Sequence, residues 1–205
     1  MGRAENRQPH VETIELYKNY QPPCNARLAI QTLLRYTPPK YLHGLKHVLL
    51  TNASALSHDR RRGKTWSRRR KVRMKECRGL YYQPWQGSPA RIELFVDNIV
   101  ATWPPSALKV PIVRNICFAE VLYHELGHHI HATVHPEHSE REDIAEVWRK
   151  RLTGDFVRRR YWYLWLVLYA AAAGRKIARR IFRTLRGWLA KARGRSWFLP
   201  RQRPD

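Results

Sequence analysis

The sequence predicts an α+β fold, a small mixed sheet with helices packed against one face, continued by a basic helical extension. Three observations carry this reading. Apolar residues recur at helical spacing through 24–36 and 111–131, and short strand-like runs lie between those segments. The cations, 39 Lys and Arg in 205 residues, concentrate in two blocks rather than spreading along the chain. A chain of this length holds one core plus extensions, and it contains no internal repeats.

Residues 1–22 are polar and run into two prolines, so they are expected to form a loose N-terminal segment. In CNARLAIQTLLRY (24–36), Ala29, Ile30, Leu33 and Leu34 share one helical face, and the helix should stop before the prolines at 38 and 39. GLKHVLLTN (44–52) reads as a buried strand. RRRGKTWSRRRKVRMK (60–75) reads as a long exposed loop or a hairpin. RGLYYQPW (78–85) and ARIELFVDNIV (90–100) read as two strands joined through 87–89. WPPSALKVP (103–111) is a proline-punctuated loop leading into a helix over 111–131, on which Ile112, Ile116, Ala119, Leu122, Tyr123 and Leu126 recur at helical spacing. Pro136 ends that helix and Ser139 is a plausible N-cap for the next, whose apolar stripe is Ile144, Val147, Trp148 and Leu152. The expected order is therefore helix, three strands and two helices, with a domain over 23–152 and an extension over 153–205.

The formal net charge of +23 belongs to two attachments. Residues 60–75 hold 10 Lys and Arg and no acid, and residues 149–203 hold 17 with one acid, Asp155. Without these blocks the remainder has 12 basic and 15 acidic residues, a net of −3. Ten neighbouring cations repel one another, so the first block is either a solvated loop or the footprint of an anionic partner. Nucleic acid is the partner expected through 60–75, with Trp66 available to stack, and lipid headgroups or an acidic protein are the alternatives. In the second block, 13 uninterrupted apolar residues (161–173) fall short of the about 20 a membrane span needs. Beyond Gly174, Ile177, Ile181, Phe182, Leu185, Trp188 and Leu189 form one stripe surrounded by Arg and Lys. A basic amphipathic helix of that kind is expected to lie in the interface of an anionic membrane, through 158–193. Packing of the stripe on the first domain, or nucleic-acid binding by the cationic face, are the other readings. Three cysteines without a pairing pattern, and an N-terminus without a signal-peptide core, lead to the expectation of a cytoplasmic setting, and the basic helix adds the expectation of a position peripheral to the inner face of a membrane.

The chemistry concentrates in EVLYHELGHHIHATVHPEHSEREDIAEVW (120–148), which carries six histidines and seven carboxylates. His124 and His128 stand four residues apart on one face of the expected helix, so both imidazoles can reach one ion about 2 Å away. Glu125 sits beside that face. This is the H-E-x-x-H arrangement, in which two histidines bind zinc and the glutamate is the general base of a hydrolase. A third ligand is needed. A histidine six residues beyond His128 is ruled out because position 134 is Val, which leaves a glutamate on the following helix. Glu142 and Glu146 lie i, i+4 there, and one can ligate while the other orients a ligating histidine. Glu142 is favoured and Glu146 is the rival, and Ser139 with Glu142 also fits a capping box. His129, His131, His135 and His138 are expected to be exposed. Cys117 is expected to be a small buried residue.

HELGHH (124–129) with EDIAEVW (142–148) resembles the zincin metallopeptidases of the gluzincin-like branch, over roughly residues 25–152. The resemblance implies a minimal zincin-like domain that cleaves peptide or protein substrates. In it His124 and His128 are zinc ligands, Glu125 is the base, and the strand in ARIELFVDNI is the edge strand above the active-site helix. A transition-state-stabilising residue is not matched, with Tyr81, Tyr82 and Tyr123 as candidates. The competing expectation is a non-catalytic nucleic-acid or membrane-surface binding module on the same scaffold.

Overall fold

The computed structural model describes residues 10–67, 70–134 and 142–164. In chain order the elements are β1 (Glu12–Leu16), α1 (Ala26–Tyr36), β2 (Leu45–Thr51), α2 (His58–Arg62), β3 (Lys64–Ser67), β4 (Arg70–Arg73), β5 (Gly79–Tyr82), β6 (Ala90–Phe95), α3 (Val96–Val100), α4 (Pro105–Leu108), α5 (Pro111–Val134) and α6 (Glu142–Arg160). The architecture is α+β. A four-stranded mixed sheet runs β1-β2-β6-β5, with β1, β2 and β6 parallel and β5 antiparallel at the edge, and β3 and β4 form a separate hairpin.

The register explains which face is buried. Val48 pairs with Ile92 and Leu50 with Leu94, and all four side chains are fully buried. The opposite face carries the Leu49–Glu93 pair. A carboxylate in a central strand is costly unless it is satisfied. Arg60 Nη2 donates to Glu93 Oε2 at 2.6 Å, and the Tyr82 hydroxyl donates to the same oxygen at 3.0 Å. Burial, then the Glu93 charge, push the Tyr82 hydroxyl up to about 12. Because folding favours the neutral phenol, the stability it lends is whole below pH 10 and is lost as pH rises from 10 toward 12. Alkaline titration followed by tyrosinate absorbance and denaturant midpoint should show this loss in the wild type, with a shallower slope in Tyr82→Phe.

The helices follow their apolar spacing. Asn25 caps α1, its side chain accepting from Leu28 N at 2.8 Å, and Ala29, Ile30, Leu33 and Leu34 are buried. α5 packs against α1, β5, β6 and α6, and the buried Tyr123 donates its hydroxyl to Leu33 O at 3.2 Å. The meeting of α5 and α6 is close: a Cβ on Gly127 would lie 2.8 Å from both Cα and the carbonyl oxygen of Ala145.

Five sequence-based expectations are corrected. The segment 1–22 contains β1, parallel to β2, held by Thr51 Oγ1 donating to Leu16 O (3.0 Å) and by the Asn52 side chain bridging Lys18 N and O (2.9 and 3.0 Å). Its strand signal is weak because an edge strand has one ladder and a half-exposed face. The strand expected over 90–100 ends at Phe95, and Val96–Val100 is helical. There Asp97 accepts from Asn98 N (3.0 Å), a local bond that competes with a ladder, and from Ala53 N (2.8 Å). The 103–111 loop contains α4, whose Leu108 is buried. Val147 is 65% exposed, so the buried stripe of α6 is Ala145, Leu152 and Phe156 instead. The boundary expected at 152 falls eight residues later: the chain divides into Met1–Arg160 and Tyr161–Asp205. Phe156 explains the shift, packing edge-on against Tyr36 with ring centroids 5.6 Å apart.

The 60–75 block resolves in favour of the hairpin. Val72, Met74 and Leu80 pack on a small cluster of Leu56, Cys77 and Phe95. Among the described residues no helix is long and apolar enough to cross a membrane. The amphipathic pattern over 174–193, and all but 161–164 of the apolar run, lie outside the described residues.

Candidate metal centre

Two helices bring the histidines and a carboxylate together. His124 and His128 lie one turn apart on α5, their ring centroids 5.0 Å apart and their planes 86° to each other. Glu142 opens α6, where the helix N-terminus favours a negative charge. His124, His128 and Glu142 each present a ligand atom within 4.8 Å of the others. Tetrahedral ligands about 2.1 Å from an ion stand about 3.4 Å apart. His124 Nε2 and Glu142 Oε2 are at 3.2 Å, already at that spacing.

The surroundings suit a metal. Burial first, then the neighbouring His124 charge, lower the His128 pKa to about 4 against the opposing pull of Glu142. At neutral pH His128 is therefore the neutral imidazole a metal requires. Its Nδ1 is buried with no hydrogen-bond partner among the described residues, one polar atom that protein contacts leave unsatisfied. Two imidazoles and a carboxylate form a three-ligand set that fits zinc and leaves a fourth position open.

The three residues line a cleft of about 760 Å³. Glu125, 7% exposed, lies against its wall, where Gly79 at the start of edge strand β5 covers it. A Cβ at Gly79 would come within 2.7 Å of Glu125 Cγ and Oε1 and 2.8 Å of Val121 Cγ1, so any other residue there would push these side chains aside. β5, not the strand of ARIELF, is thus the edge strand lying on the helix, since β6 is enclosed between β2 and β5. Cys77 and Cys117 also line the cleft. Burial pushes each thiol up to about 11, with the Glu125 charge adding to the shift at Cys77, so both are neutral at pH 7 and poor metal ligands.

Glu146 is drawn elsewhere. Arg149 grips it with Nε to Oε2 at 2.8 Å and Nη2 to Oε1 at 2.6 Å, and also pairs with Glu120. Glu146 is therefore neither in the cluster nor beside a ligating histidine. Its separation from Glu142 is decided by Arg149, three residues on.

His129 and His131, expected at the surface, are 1% and 5% exposed, while 135–141 lie outside the described residues. His129 stands i+7 from the buried Leu122, a periodicity that places it on the core stripe. Its Nε2 lies 2.9 Å from the His43 carbonyl oxygen, which can only accept, so Nε2 carries the proton. Burial keeps the ring neutral, which makes Nδ1 the acceptor from the Tyr81 hydroxyl at 3.2 Å. Of the tyrosine candidates, Tyr82 is bound up with Glu93 and Tyr123 with α1, whereas Tyr81 lines the cleft. Its proton is committed to His129 in this arrangement. No pattern in the sequence marks Gly79, Arg78, Trp103 or Glu120 as cleft residues, because three segments far apart in the chain bring them there.

Compared with protein-family models, curated proteins and solved structures, the chain matches none.

Proposed function

We propose that the chain is a zinc-dependent metallopeptidase in which His124, His128 and Glu142 hold the ion and Glu125 is the general base. The observation that carries this is the triad's spacing within a cleft that also contains a buried carboxylate from the turn between the two histidines. Bound zinc would supply a water whose pKa is lowered toward about 7. With the ion bound, Glu125 would be the group that takes a proton from that water and returns it to the departing amine. Burial under Gly79 shields Glu125 from bulk water and restricts its rotamers. The peptide enters along edge strand β5, which pairs with β6 on one side only among the described residues. The free thiols of Cys24, Cys77 and Cys117 fit a reducing, cytoplasmic setting, and the basic pattern over 158–193 is the proposed tether to an anionic membrane surface.

Elemental analysis of the purified chain and two variants tests the ligand set. One zinc per chain is expected in the wild type, with less than a tenth of that in His128→Ala and Glu142→Ala. Zinc retained in Glu142→Ala would remove Glu142 from the set. A metal-free wild type that cannot be reloaded would leave the non-catalytic binding module as the better account.

A further inference from the structure

The hairpin of β3 and β4 has two faces with different surroundings. Thr65 and Val72 pair across the strands and line the metal cleft. Lys64 and Arg73, the adjacent pair, face the other way. There, with His58, Arg61 and Arg62 of α2 and Lys75, they line a second concavity of about 530 Å³.

Among the described residues no carboxylate lines this concavity. Arg60, the neighbour of Arg61, is neutralised by Glu93, but among the described residues none of Arg61, Arg62, Lys64, Arg73 or Lys75 is paired with an acid. Asp59 of α2 is fully exposed and sits beside His58 at 3.8 Å, and Glu76, next to Lys75, lines the metal cleft instead. Like charges directly opposite in an antiparallel pair oppose strand association, and Lys64 and Arg73 are directly opposite. The hairpin forms against that repulsion. One of the cations is also fixed in place: Arg61 Nη2 donates to Ser54 O at 2.9 Å and to Leu56 O at 3.4 Å.

We infer that this concavity is a binding site for a ligand carrying clustered phosphates, two or three held together in one cavity. The five cations supply charge-assisted donors from several directions, as a compact polyphosphate needs. The volume is that of a small-ligand site. A nucleic-acid backbone would ask instead for an extended track. Because the same hairpin walls the metal cleft on its other face, occupancy also steadies that wall. The inference stands apart from the proposed peptidase activity, since binding is read without turnover.

The test is calorimetric titration of the full chain with sodium tripolyphosphate at constant ionic strength, with thermal unfolding alongside. Any stripping of metal by the probe affects all variants alike. Arg62→Gln/Lys64→Gln/Arg73→Gln is expected to weaken one-to-one binding by about tenfold or more. Arg35→Gln/Lys46→Gln/Lys109→Gln, which removes three exposed cations elsewhere, should change it less than about twofold. The hairpin variant should melt no lower than wild type without ligand, since it relieves the Lys64–Arg73 repulsion, and should lose the tripolyphosphate-induced rise. Lys75→Gln alone, off the hairpin, should weaken binding in the same sense. Vesicles bearing a phosphorylated inositol lipid that displace tripolyphosphate assign the phosphates to a lipid headgroup, and vesicles that fail to displace it assign them to a soluble ligand. Equal losses in both triple variants would reduce the site to diffuse attraction and overturn the inference. Single-stranded oligonucleotides that compete with an affinity growing steadily with length would replace it with a nucleic-acid track.

Discussion

Glu125→Gln is expected to abolish peptide hydrolysis while leaving one zinc per chain. The substitution keeps the shape of a side chain packed under Gly79 and leaves the three proposed ligands themselves unchanged. It removes only the capacity to accept a proton. General-base contributions of this kind amount to about a hundred- to ten-thousand-fold in rate. The check is turnover of a quenched fluorescent peptide library by the zinc-loaded chain, with metal content measured on the same samples. Wild-type rates in Glu125→Gln would sink the mechanism even with the metal centre intact. Loss of zinc in that variant would place Glu125 among the ligands instead.

The second large effect is expected at Gly127, where α5 meets α6. A Cβ there would stand 2.8 Å from backbone atoms of Ala145 and 3.1 Å from Trp148 Cβ, and backbone cannot rotate away as a side-chain tip can. Gly127→Ala therefore drives α6 off α5. Overpacking of this sort costs about 1–3 kcal/mol. Since α5 carries both histidines and α6 carries Glu142, the displacement also opens the 3.2 Å spacing of His124 and Glu142. Zinc affinity should fall about ten- to a hundred-fold, the range seen when the supports of metal ligands are disturbed. Gly154→Ala is the internal comparison: it lies on α6, a Cβ there meets nothing within 4 Å, and it should stabilise by about 0.5–1 kcal/mol. Urea unfolding and competitive zinc titration of the two variants read both quantities. A Gly127→Ala chain with wild-type stability and affinity would contradict the tight α5–α6 packing.

The α+β class was legible because apolar residues recur at helical spacing over 24–36 and 111–131 and cluster in the short runs at 44–52 and 90–100, and these are the segments the core buries. β1 was not, because ETIEL exposes three of its five residues and its partner strand lies more than thirty residues away. The turn at Val96 was hidden in a run of β-branched residues, where two polar side chains, Asp97 and Asn98, redirect the backbone through contacts with Ala53, Lys75 and Cys77.

At the site, the placing of His124 and His128 on one face needed only the helix. Choosing between Glu142 and Glu146 needed Arg149, and periodicity alone could not weigh it, since both acids lie on one face of α6. His129 was misjudged by composition. A histidine in a histidine-rich stretch looks solvated, yet its position seven residues beyond Leu122 put it in the core, where His43 and Tyr81 satisfy both ring nitrogens.

The most direct test of the account is zinc-edge X-ray absorption on the zinc-loaded full chain, because Cys77 and Cys117 line the same cleft as the three proposed ligands. The account predicts a first shell of nitrogen and oxygen only at about 2.0–2.1 Å, with the outer-shell scattering of two imidazoles and none from sulfur. A sulfur scatterer at about 2.3 Å would mean that a cleft cysteine has entered the coordination sphere, contradicting both the ligand set and the open water position on which the proposed hydrolysis depends.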